Sequence, residues 1–482
     1  MKMLVVGIDG GDQKILKSMN MPSLKAILNE QICLELEEDL WSRGWAEILS
    51  GIHGRETGAF YSKPKLDGSH DFTKSFSTND YNNNDLIVPL WTKLLKFGHK
   101  VGFMNVPTTM PAPDVDGFFI AGASGGSKVS GASKIPAGVC FPPESLDDLI
   151  QHQYILDTRF ISSGIRDVET FFNRLAAMQT NRTNAFIQLS QKYQPEFGFL
   201  AYRATTVVQY IVMSEIESLM ANPDSPQTKI QKRIHELYQD LDQCIYNLLD
   251  QLQPEYIIVV SDHGASPRFA TVNMNVFLQE MDMQKPLPSS VKTTRRLVKQ
   301  LAQLVPRQVR RNITQSVPQV RSISQPAIDW SQTRAFGARY VSGVYINDRE
   351  RFAGTVGDSE VNQVTQQIIE AFNATEAATK HRLYARPYRQ NYRSAKFADL
   401  LPDIWIDHPD SIFFEEKGQF VETNEDYKPI ETLRQVTRDQ YTGAKGRHPL
   451  LCINPELYRY VEDGDPWDLT LVYKIIERAM AQ

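Results

Sequence analysis

Asp262 and His263 end an apolar run, Tyr256–Val260, in the string Ser261-Asp262-His263-Gly264. A carboxylate beside an imidazole offers oxygen and nitrogen ligands suited to Zn²⁺ or Mn²⁺. The glycine lets the chain turn away at once. Asp9 closes a second apolar run, Met3–Ile8, and is followed by Gly10, Gly11 and Asp12. His448 lies in Gly443-Ala-Lys-Gly-Arg-His448-Pro, just ahead of a third apolar run at 450–453. These three segments are far apart in sequence. They converge if their strands share one sheet, because ligands gather outside the carboxyl ends of parallel strands.

The elements that must position these residues are legible in outline. Residues 3–8, 100–106, 197–202 and 256–260 are short apolar runs that read as buried strands. Between them, Pro22–Glu30, 89–97, 167–192 and a stripe at Ile230, Ile234, Leu237, Leu241, Ile245 and Leu248 read as helices. Pro22 suits a first helical turn and Gly98 stops the helix before it. Strands alternating with helices predict an α/β fold with a mostly parallel sheet and helices on both faces. Residues 41–51 read as a loop entering a helix, and Asp12 as a helix cap. Residues 268–400 break the rhythm and are expected to form an inserted cap or substrate region. The core is then residues 1–267 and 401–482. Within the insertion, 292–311 is a basic helical stretch whose charges read as a solvated face.

Bulk properties exclude some classes. A net charge of −5 argues against nucleic acid as the main partner. No apolar run reaches the roughly 18 residues of a membrane span. The four cysteines, Cys33, Cys140, Cys244 and Cys452, are widely spaced and form no CxxC pair, so they read as thiols of a reducing compartment. With no charged and apolar leader at the start of the sequence, the expected location is cytoplasmic. Oligomeric state stays open.

In order along the chain, several strings resemble landmarks of the alkaline phosphatase superfamily, in its type I phosphodiesterase/nucleotide pyrophosphatase branch. They include Val6-Gly-Ile-Asp-Gly-Gly-Asp12, Trp45-Ala-Glu-Ile-Leu-Ser-Gly51, Met104-Asn-Val-Pro-Thr108, Ser261-Asp-His-Gly264 and Arg447-His448-Pro449. The resemblance covers nearly the whole chain and implies an alkaline-phosphatase-like three-layer αβα sandwich with a two-metal site. One metal would take Asp9, Asp262, His263 and a nucleophile hydroxyl. The other would take an Asp-x-x-x-His pair and His448. The chain departs from the pattern twice. Thr205 and Gln209 stand where that Asp and His belong, and are expected to face substrate instead. Trp41 falls at the nucleophile position, with Ser42 one residue later, ahead of a helix N-terminus that favours an anionic phosphate. One tightly bound Zn²⁺ or Mn²⁺ is therefore expected, with a second uncertain.

The expected function is metal-dependent hydrolysis of phosphate esters, as a phosphodiesterase or nucleotide pyrophosphatase. Ser42 is the candidate nucleophile. Arg43 and His448 act beside it, and Arg203 binds substrate oxygens. A sulfatase, or a phosphoryl or sulfuryl transferase, is the enzyme alternative, and it ranks lower because Ser42-Arg43-Gly44 lacks the sulfatase C/S-x-P-x-R pattern. A ligand-binding member without turnover is the alternative outside enzymes. In each case the partner is a small-molecule phosphate or sulfate ester.

Overall fold

A computed structural model describes residues 1–122, 135–158, 167–222, 227–287, 328–425, 427–428 and 441–482. The basic stretch at 292–311 lies outside the described residues. The chain divides into two compact units: 1–61 with 74–269 and 423–482, and 62–73 with 270–422.

The first unit is built on an eight-stranded sheet. Its order is Ile32–Cys33, Leu451–Ile453, Tyr256–Val260, Met3–Ile8, Phe197–Tyr202, Val101–Met104, Gly117–Ile120 and Cys140–Phe141. The five strands from Tyr256–Val260 to Gly117–Ile120 run parallel. Leu451–Ile453 pairs antiparallel with Tyr256–Val260, and Cys140–Phe141 pairs antiparallel with Gly117–Ile120. Alternation along each strand divides the apolar residues between two faces. Leu4, Val6 and Ile8 pack into a core with helices Val168–Tyr193, Ala204–Ala221 and Lys229–Leu252. Met3 and Val5 enter a second core with Gly44–Ser50, Leu90–Lys96 and Thr470–Met480. Three layers result, as the alternation of runs and helical stripes predicts.

The second unit has its own four-stranded antiparallel sheet, in the order Ala335–Gly337, Gly343–Ile346, Ile404–Asp407 and Tyr384–Pro387. The expected boundary at residue 401 is therefore corrected. Ile404–Asp407 is an inner strand of this sheet, held on both edges, so the unit runs on to residue 422. An isolated apolar run does not reveal which sheet will pair with it.

Cys33 and Cys452 are register partners on adjacent antiparallel strands and form a disulfide. The reading of four separate thiols is corrected, and with it the cysteine argument for a reducing compartment. A separation of 419 residues hides such a pair from any local spacing rule. No helix among the described residues is long and apolar enough to cross a membrane.

Candidate active site

Asp9 and Asp262 meet because their strands are neighbours. Met3–Ile8 pairs with Tyr256–Val260 in a register that sets Gly7 opposite Val260, so both chains leave the sheet at the same edge. Gly10 then takes a φ of 69°, and a Cβ there would lie 2.6 Å from the Gln209 side-chain oxygen, so the turn accepts only glycine without strain. One ligand atom each from Asp9, Asp262 and His263 lies within 4.8 Å of the others, and all three residues are buried. His263 Nε2 is 3.7 Å from Asp9 Oδ1 and 3.6 Å from Asp262 Oδ2.

Hydrogen bonds fix each ligand. Gly10 N donates to Asp262 Oδ1 at 3.4 Å, and the Tyr61 hydroxyl donates to Oδ2 at 3.1 Å. Trp45 Nε1 donates to Asp9 Oδ2 at 3.3 Å, and the Arg203 Nε pairs with the same oxygen at 3.4 Å. His263 Nδ1 lies 2.6 Å from the Gly264 carbonyl. A carbonyl only accepts, so Nδ1 carries the proton and a neutral His263 presents the lone pair of Nε2 to the two carboxylates. Burial and then the nearby Lys445 charge push the His263 pKa well down, which keeps the ring neutral. Burial and the charge of Asp9 push Asp262 up to about 7. Two carboxylates and the unprotonated Nε2 of His263 thus face one another, crowded enough that Asp262 ionises only near pH 7, and the second ring nitrogen of His263 is anchored on a carbonyl. Both are features of a divalent-metal site, so these residues fit the metal that the sequence suggested.

The remaining expected residues take other places. Arg203 is half-buried, bonded through Nη1 to Asp157 at 2.8 Å, and its Nε braces Asp9. Thr205 Oγ1 donates to the Asp9 backbone carbonyl at 2.7 Å. Gln209 Nε2 donates to the Tyr238 hydroxyl at 3.2 Å. Both sit on the helix Ala204–Ala221 and serve as packing around the Asp9 turn. His448 is exposed, with Nδ1 3.3 Å from the Leu36 carbonyl, and does not join the three ligands. The backbone at His448 touches Gly264, where a Cβ would lie 2.6 Å from its carbonyl oxygen, but the side chain leaves in another direction.

Ser42 and Arg43 precede the helix Gly44–Ser50. A Cβ on Gly44 would collide with the Asp262 carbonyl oxygen, so this loop presses against the backbone of a ligand. The Ser42 hydroxyl donates to Asp39 Oδ2 at 3.0 Å and lies 3.3 Å from His53 Nε2. The helix is capped by Arg43 rather than Ser42, with no side-chain cap bond. Arg43 donates from Nε to the Phe60 carbonyl at 3.0 Å and from Nη2 to the Lys74 carbonyl at 2.6 Å, and its guanidinium stacks on Tyr61. Trp41 is buried against Phe60, with ring centroids 3.8 Å apart. His53 is half-buried and caps the helix Gly54–Thr57 by accepting from Arg55 N.

Sequence reasoning passed over Tyr61, Tyr210 and Lys445. The Tyr210 hydroxyl is 3.5 Å from His263 Nε2. Lys445 enters through a two-stranded ribbon in which Gly264–Pro267 pairs with Gly443–Gly446 and Ala265 faces Lys445. Its ammonium lies 3.1 Å from the Tyr61 ring centroid. Burial lowers its pKa to about 7 against the pull of Asp262 and Asp9. The only trace of Lys445 in the sequence is its place three residues before His448.

Comparison of the sequence with curated proteins gives no match. Among solved structures, phosphonoacetate hydrolase from Sinorhizobium meliloti 1021, in complex with phosphonoformate, aligns with a TM-score of 0.54 at 12% identity, over 100% of this chain and 96% of that one. At this identity the likeness is one of fold. Murine ectonucleotide pyrophosphatase/phosphodiesterase 5 aligns with a TM-score of 0.47 at 12% identity, over 100% of this chain and 95% of the other. The family model for type I phosphodiesterase/nucleotide pyrophosphatase matches residues 3–428, which include Asp9, Asp262 and His263. The chain therefore belongs to the type I phosphodiesterase/nucleotide pyrophosphatase family, a family of phosphoester hydrolases.

Proposed function

We propose that this chain hydrolyses phosphodiesters or nucleotide pyrophosphates with one Zn²⁺ or Mn²⁺ held by Asp9, Asp262 and His263. The observation that carries this reading is the buried meeting of two carboxylates with the lone pair of a neutral imidazole. A divalent ion there supplies Lewis acidity to a phosphoryl oxygen. The chain's own residues do the rest. Arg203 and Trp45 hold the Asp9 carboxylate in place, and Gly10 N and Tyr61 hold that of Asp262. The Gly264 carbonyl orients the His263 ring. Ser42 is the proposed nucleophile, on a loop kept beside Asp262 by the contact at Gly44.

Attack by water is the second reading, and Ser42's partners favour it. Asp39 and His53 both lie outside the three ligands. Because His53 Nδ1 accepts from Arg55 N, a neutral His53 carries its proton on Nε2 and has no lone pair to take one from Ser42. The test is hydrolysis of bis-p-nitrophenyl phosphate beside metal analysis, with Asp262→Ala and Ser42→Ala. Loss of turnover in both variants supports Ser42. Turnover that survives Ser42→Ala but not Asp262→Ala assigns the attack to water. Metal-free protein with no chelator effect on turnover overturns the metal reading.

A further inference from the structure

We infer that Lys445 supplies the second positive charge of this site, receiving a phosphoryl oxygen where a second metal ion would otherwise stand. The inference rests on the three-ligand reading above. The groups from which a second metal would be built are engaged elsewhere. Thr205 holds the Asp9 carbonyl, Gln209 holds Tyr238, and exposed His448 lies by the Leu36 carbonyl. Lys445 is the side chain the fold brings in instead. The residues after His263 pair with Gly443–Gly446, so the ribbon that leaves the ligand sets Lys445 opposite Ala265, two residues from His263.

The surroundings of Lys445 suit an anion acceptor. Its ammonium lies 3.1 Å from the Tyr61 ring centroid, and the hydroxyl of the same tyrosine bonds to Asp262. The aromatic face stabilises the cation without consuming its N–H groups as a carboxylate would. No carboxylate oxygen among the described residues lies within ion-pair distance of Lys445, although Asp262 and Asp9 act on its charge. Three N–H donors on a half-buried ammonium are thus available to oxygen atoms of a ligand. Burial weakens the charge of Lys445 in the absence of an anion, and an anion seated there restores it.

A cation beside a metal site has opposite effects on the two ligands. It repels the metal ion and attracts phosphate. Loss of a merely structural lysine would weaken both. The test titrates full-length protein first with Mn²⁺ alone and then with inorganic phosphate, with and without Mn²⁺. The proteins are the unaltered chain, Lys445→Met and Lys445→Arg. At a pH well above 7, where Asp262 is ionised with or without Lys445, the expected result is one Mn²⁺ per chain in all three and Mn²⁺ affinity in Lys445→Met equal to or above that of the unaltered chain. Phosphate should bind about tenfold or more weakly to Lys445→Met and recover most of that loss in Lys445→Arg. Unchanged phosphate affinity in Lys445→Met overturns the inference, as does a parallel loss of Mn²⁺ and phosphate in both variants. If the unaltered chain binds no Mn²⁺ but still binds phosphate through Lys445, the metal reading falls and the role of Lys445 stands.

Discussion

Two polar clusters of the same unit make a controlled comparison. One is Asp9, Asp262 and His263. The other is Asp39, Ser42 and His53. Each contains a carboxylate close to an imidazole, yet their electrostatics run in opposite directions. Asp39 accepts from Trp41 N at 2.8 Å, Ser42 N at 2.7 Å and the Ser42 hydroxyl at 3.0 Å, and pairs with His53 at 3.2 Å. Burial pushes its pKa up, but the His53 hydrogen bond and charge and the two backbone amides win, holding it well below the usual carboxylate range. Asp262 also receives hydrogen bonds, yet burial and Asp9 push it up to about 7. The Asp39 cluster is complete in itself, whereas Asp262 has no cation within ion-pair distance among the described residues, the Arg203 charge being paired with Asp9 and Asp157. That difference marks a binding site more sharply than residue type does.

The largest expected effect breaks the Asp262 cluster. Asp262→Ala removes a ligand, so metal affinity should fall by more than the roughly 10–100-fold typical of outer-sphere changes, with turnover falling alongside. Mn²⁺ titration measures the first and diester hydrolysis the second. Above pH 7, where Asp262 is ionised, the same substitution should leave the metal-free fold about as stable, because relief of the repulsion from Asp9 offsets the loss of the bonds from Gly10 N and Tyr61. Thermal unfolding in chelator checks this, and a large drop in midpoint would contradict the comparison. Asp39→Ala should do the reverse. It leaves two amides and a hydroxyl without their acceptor and should cost about 1–3 kcal/mol of stability in denaturant titration. Its metal affinity should stay near that of the unaltered chain.

The next effect comes from pH. The folded metal-free chain holds a proton on Asp262 up to about pH 7, whereas the unfolded chain releases it near pH ~4. The folded state therefore binds more protons between these values, and this group makes metal-free protein less stable as pH rises from about 4 to 7. Metal binding needs the ionised carboxylate, so Mn²⁺ affinity should fall about tenfold for each pH unit below 7 while one proton is released per ion. Calorimetry in buffers of different ionisation enthalpy counts that proton. His263 adds no second proton near neutrality, because its pKa is held well down.

Legibility in the sequence followed the same division. Asp9, Asp262 and His263 were readable because each directly follows an apolar run, and parallel strands deliver their ends to one edge. Lys445 was not, because it reaches the site through an antiparallel ribbon of small residues, Gly443–Gly446, whose partner strand lies far away in the chain. His448 was given a ligand's role by motif order, but order along a chain does not fix where a side chain turns, and here it turns to the Leu36 carbonyl. Ser42 was readable as lying just ahead of a helix N-terminus, but not that Asp39, three residues earlier, takes both its amide and its hydroxyl. The layers were legible from alternating runs and helical stripes. The division at residue 422 and the Cys33–Cys452 pair were not, since both depend on which distant strand pairs with which.

The smallest expected effect is also the most specific. Tyr61→Phe keeps the ring under Lys445 and removes only the hydroxyl that donates to Asp262. That hydrogen bond favours the ionised carboxylate and is one of the influences lowering the Asp262 pKa, smaller than that of Lys445. Without it the pH midpoint for Mn²⁺ binding should move upward by a few tenths of a unit, well under the roughly one unit that marks a strong interaction. Lys445→Met should move the midpoint in the same direction and further, because it removes a positive charge from beside the carboxylate. The two shifts differ in what accompanies them. Tyr61→Phe leaves the ammonium in place and should preserve phosphate affinity, whereas Lys445→Met should lose it. A downward shift in Tyr61→Phe would mean that the hydroxyl stabilises the protonated carboxyl, and the electrostatic contrast between Asp262 and Asp39 would then need another cause.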